Sequence, residues 1–128
     1  MSLPSSRPER ARSTSTLFLC AALIALPAAS CGVEPQPPTV TCPDTVPTYA
    51  QLGMWAYCNK CHSSSVTGAA REKAPGNVNF DSYAAAVAEA SSAAAQVNAG
   101  LMPPADDPQP TAEQKTALYQ WAACGTPR

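Results

Sequence analysis

Cys58-Asn59-Lys60-Cys61-His62 is the stretch on which the reading of this chain turns. Two thiols separated by two residues, with an imidazole directly after, serve four chemistries. A thioredoxin-like redox dithiol expects a βαβ setting, and no strand-like alternation of apolar and polar residues occurs anywhere in the chain. Half of a zinc site needs a second close pair, whereas Cys42 and Cys124 stand far apart. A simple disulfide would only staple the chain. In covalent haem attachment, each cysteine adds across one haem vinyl group and the following histidine falls beneath the iron. The haem reading uses all three side chains and is the one carried forward. His62 is the only histidine, so no second imidazole exists for the opposite side of an iron.

Outward from this motif the pattern is helical. Thr48 suits an N-cap, and 49–57 reads as a short helix leading into Cys58. Residues 63–80 are rich in Ser, Gly, Asn and Pro and read as a loop. Asp81 opens a second helix over 82–99, dominated by alanine, the best helix former. Its core face is expected to carry Tyr83, Val87, Ala90, Ala94 and Val97, with Gly100 as the C-terminal cap. Thr111 and Gln114 fit a capping box for a third helix, which presents Leu118 and Trp121 together and ends at Gly125. The expected fold is all-α: a small three- to four-helix domain over 48–128. Alanine-rich helices bury little area, and a domain this short needs a staple, metal or cofactor. A haem, a large flat apolar body, would answer that need and give the long loops something to wrap.

An electron-transfer haem needs a sixth ligand. Met102 lies 40 residues after His62 in an interhelical loop and precedes Pro103 and Pro104, which stiffen it. Met54, one helical turn before Cys58, is expected to pack instead.

The N-terminal part reads as an address. Arg7, Arg10 and Arg12 precede the apolar run 17–26, and small residues follow. This is the pattern of a secretory signal over 1–30, and the run is half the length of a membrane-spanning helix. Ala28-Ala29-Ser30-Cys31 resembles a lipoprotein cleavage site, which would make Cys31 the lipidated N-terminus; Ala28 and Ser30 also suit ordinary signal cleavage. Residues 31–47, with Pro35, Pro37, Pro38, Pro43 and Pro47, read as a semi-rigid tether. Export places the cysteines beyond it in a disulfide-permissive compartment. Without 1–30, five Lys and Arg against eight Asp and Glu leave a net charge of −3. No basic stripe is present, which argues against nucleic acid as a partner.

The sequence over 48–127 resembles small bacterial class I c-type cytochromes, especially short exported and often lipid-anchored ones. The residues that carry the resemblance are CNKCH at 58–62, the Pro75-Gly76 turn, GLMPP at 100–104 and the final helix TAEQKTALYQWAACGTP. The resemblance implies one haem c, attached at Cys58 and Cys61, with His62 and Met102 as axial ligands. It implies that the Pro75 carbonyl accepts a hydrogen bond from the His62 ring. It also implies crossed first and last helices. The chain departs from the family there, since Ala50 and Met54 stand where glycine and an aromatic are usual, and Trp121 is expected to pack against Met54. Crossed ends would bring Cys42 and Cys124 together, so a disulfide is expected between them.

The function implied is one-electron transfer with redox proteins in the periplasm or cell envelope, at a membrane through a lipid on Cys31. No second histidine, carboxylate cluster or activated nucleophile accompanies the motif, so an enzymatic activity of its own is not expected. Two rivals stand beside it: a haem-based sensor or gas-binding module with an open sixth position, and a disulfide-stapled lipoprotein without haem.

Overall fold

The computed structural model describes residues 32–128. The signal segment, Cys20 and the lipidation site at Cys31 lie outside the described residues. Among those residues there is no strand, and the fold is all-α. Four helices make it: α1 (Trp55–Cys58), α2 (Tyr83–Ala88), α3 (Ala90–Asn98) and α4 (Ala112–Ala123). Short 3₁₀ turns lie at Tyr49–Gln51 and Gly68–Arg71. No helix among the described residues is long and apolar enough to cross a membrane.

Two expected helices are broken. The helix expected over 49–57 divides into the Tyr49–Gln51 turn and α1, because Leu52 is extended at φ −77° and ψ 101°. The Gln51 side chain accepts from the Thr48 amide at 2.8 Å, and this cap serves only the 3₁₀ turn. The helix expected over 82–99 is interrupted at Glu89, where φ is −106° and ψ 5°. Rotation across that break puts Ala86, not Val87, on the buried face with Ala90, Ala93 and Val97; Val87 is exposed. Ser82 caps α2 by accepting from the Ala85 amide. Gly100, at φ 70°, closes α3: its amide reaches the Val97 carbonyl and that of Leu101 reaches Gln96. That pair of bonds is a Schellman cap, and the left-handed φ it requires favours glycine.

The α4 cap forms as expected. The Gln114 amide donates to Thr111 Oγ1 at 3.3 Å, and the Thr111 amide donates to Gln114 Oε1 at 2.8 Å. α4 packs on α3. Leu118, Trp121 and Met54 are completely buried in one core with Leu52, Trp55 and Phe80. Trp55 stacks on Phe80 at 5.5 Å and meets Trp121 edge-on at 5.5 Å. α1 is a single turn, and the Trp55–Trp121 contact joins the first and last helices.

Cys42 and Cys124 form a disulfide across a sequence separation of 82. Residues 32–47 contain no helix or strand. They lie close to the helical body, with Asn98 Nδ2 donating to the Gln36 carbonyl at 3.2 Å.

Candidate functional site

The motif winds on from α1. The Asn59 amide donates to the Trp55 carbonyl at 2.9 Å and the His62 amide to that of Cys58 at 2.8 Å. These are four-residue backward bonds, so positions 58, 61 and 62 share one face of a helical turn. The spacing of the motif therefore turns both thiols and the imidazole toward one cavity, of about 430 Å3. Met102 and Pro75 line the same cavity. Val78, Phe80, Ala93, Val97 and Pro103 supply much of its apolar wall.

His62 is fixed from two sides. Its carbonyl accepts from the Phe80 amide at 2.8 Å, and its ring meets the Phe80 ring edge-on at 5.5 Å. Its Nδ1 lies 3.1 Å from the Val78 carbonyl oxygen. A carbonyl only accepts, so Nδ1 carries the proton and Nε2 is left with its lone pair free. The expected partner was Pro75, and the structure corrects this. The Pro75 carbonyl is taken by Arg71 Nη2 at 2.6 Å, and the chain turns back three residues further on to offer Val78.

Arg71 went unnoticed among the loop residues 63–80. It is 8% exposed and holds that loop together. Nε donates to the Ala74 carbonyl, Nη1 to Ser63, Val66 and Asn79, and Nη2 to Pro75 and Val78. Glu72 and Lys73 follow at φ 50° and 72°, a left-handed pair that side-chain-bearing residues rarely adopt. Its only signal in the sequence is the short charged run Arg71-Glu72-Lys73 between Ala70 and Ala74.

Met102 follows the α3 cap, its amide donating to the Gln96 carbonyl at 3.3 Å, and is 38% exposed. Gln109 braces the loop beyond it by donating to the carbonyls of Pro104 at 2.7 Å and Asp107 at 3.0 Å. This brace, too, was not read from the sequence.

Cys58 and Cys61 are unpaired thiols. Burial pushes the Cys58 thiol up to about 12. Burial, together with Glu72 and Asp107 nearby, raises that of Cys61. A dithiol oxidoreductase needs the opposite shift, toward thiolate. The zinc alternative loses its remaining ligands to the Cys42–Cys124 disulfide, and among the described residues no group of three or more His, Cys, Asp or Glu is gathered. A haem fits this donor set: two thiols for thioethers, one imidazole with its far nitrogen free, one thioether sulfur, and a largely apolar cavity within the range of about 300–1,000 Å3 usual for cofactor sites. Searches against family models, curated proteins and solved structures found no match to this chain.

Proposed function

We propose that this chain is an exported electron carrier holding one haem c, attached through Cys58 and Cys61 and ligated by His62 and Met102. The observation that carries the reading is the convergence of a five-residue turn and a methionine 40 residues further on around one largely apolar cavity. A haem c bound there supplies one-electron exchange between ferrous and ferric iron.

The protein's residues do the rest. Val78 holds the proton on His62 Nδ1 and so presents Nε2 for ligation. The Met102 thioether, a soft donor, favours the reduced state relative to a second imidazole. Val78, Phe80 and Val97 exclude water, which disfavours the extra charge of the oxidised state. With His62 and Met102 both holding the iron, no position on it would be left for a substrate. Cys31, if lipidated, and the proline-rich 32–47 segment would keep this domain at a membrane surface, where it exchanges electrons with redox proteins.

The 38% exposure of Met102 favours a second reading, a sensor in which that side chain gives way to a gas. One experiment separates the two and tests both. The full chain and Met102→Ala are matured in cells carrying the cytochrome c assembly machinery, and spectra are recorded oxidised and reduced. The expected result is a covalent haem with a weak methionine–iron band near the red edge. Met102→Ala loses that band and binds carbon monoxide. Ready carbon monoxide binding by the wild type selects the sensor. Absence of covalent haem, while a control cytochrome matures in the same cells, overturns both.

A further inference from the structure

Among the described residues, Arg71 is a buried cation without an anionic partner. Its six acceptors are the carbonyls of Ser63, Val66, Ala74, Pro75 and Val78 and the amide oxygen of Asn79; none is a carboxylate. Guanidinium has five N–H donors, and every nitrogen is engaged within the protein, so no donor is left over to bind an external anion. Burying such a charge without a counter-ion is costly even when its donors are satisfied, and a neutral residue would avoid that cost.

The acceptor it shares points to its role. Val78 O receives Arg71 Nη2 at 3.0 Å and His62 Nδ1 at 3.1 Å. We propose that Arg71 is a positioning residue that sets the reduction potential of the iron held by His62. The proposal rests on the haem-carrier reading above. It clamps the 75–78 turn so that Val78 O meets the imidazole. On the potential it acts in two ways with the same sign, and the first is that it draws on that oxygen itself, leaving a weaker acceptor for the Nδ1 proton. His62 then stays a neutral imidazole of moderate donor strength, without drifting toward imidazolate, which would favour ferric iron. The buried positive charge also opposes the extra positive charge of the ferric state. The other charged residues lining the cavity are more exposed and better screened: Lys60, Glu72 and Lys73 are exposed, and Glu89 and Asp107 half-buried.

The test is equilibrium redox titration of the matured wild type, Arg71→Gln, Arg71→Lys and Asn79→Asp, each checked for the methionine–iron band. Asn79→Asp keeps every donor of Arg71 and places a carboxylate against Nη1, where Asn79 Oδ1 now sits at 3.1 Å. It therefore reports on the charge even where Arg71→Gln fails to mature. The ferrous-to-ferric ratio at a fixed mediator potential should fall about tenfold in Arg71→Gln, which is about 59 mV for one electron. It should fall several-fold in Asn79→Asp and stay within about threefold of wild type in Arg71→Lys. The proposal is overturned if Arg71→Lys falls as far as Arg71→Gln, which would make Arg71 a brace only. Asn79→Asp matching the wild type would overturn it as well. A wild type that takes up no haem defeats the carrier reading instead, so the two failures are distinguishable.

Discussion

At the scale of single residues, Trp121 has no exposed surface, meets Trp55 edge-on and donates its indole N–H to the Pro127 carbonyl at 2.9 Å. Trp121→Ala should lower the unfolding free energy by about 3–5 kcal/mol, read as a drop in the urea midpoint. Met54 is equally buried, so Met54→Ala should destabilise by about 2–5 kcal/mol and leave the methionine–iron band of the haem-loaded protein in place. Loss of that band in Met54→Ala would remove Met102 from its proposed role. The motif and Met102, which line one cavity, stand out in the sequence because both are chemically distinctive residue types. Val78 was not, since a backbone carbonyl has no signature in sequence, and the turn that delivers it depends on the left-handed Glu72 and Lys73.

Among the elements, caps and pins decide where each helix starts. Asp81 Oδ2 accepts from the Ser64 hydroxyl, the Ser64 amide and the Ser63 hydroxyl, which ties the chain just past His62 to the entry of α2. The Ser64 hydroxyl and amide hold its carboxyl below the usual carboxylate range. A depressed folded pKa stabilises above the unfolded value, about 3.9, and the contribution is lost as pH falls through the folded pKa. Asp81→Asn should therefore be less stable than wild type at pH 7, with the two converging at the acid end of a pH series of urea midpoints. Thr111→Ala should lower stability by about 1 kcal/mol in the same assay, through loss of the α4 cap. Thr111 and Gly100 were readable because capping is local chemistry. The break at Leu52 had a signal in the adjacent Gly53, a poor helix former, whereas that at Glu89 had none, since the alanines on both sides of it favour continuation.

For the whole molecule, the Cys42–Cys124 bridge spans 82 positions and so removes a large share of the unfolded chain's freedom. In the chain-entropy account, Cys42→Ser with Cys124→Ser should lower stability by about 4 kcal/mol. Reductant should then destabilise the wild type and leave the double variant unchanged. Residues 126–128 also tie into the core. The Pro127 carbonyl accepts from the Tyr49 amide at 2.9 Å as well as from Trp121, the Thr126 carbonyl accepts from Tyr83 Oη at 2.9 Å, and Arg128 lies over the Tyr83 ring at 5.4 Å. This sets an order in time. A chain threading out N-terminus first displays Cys58, Cys61 and His62 well before Pro127 arrives to latch Tyr49 and Trp121. During that interval the thiols stand open to chemistry that the closed fold, with Cys58 half-buried and hard to ionise, would resist.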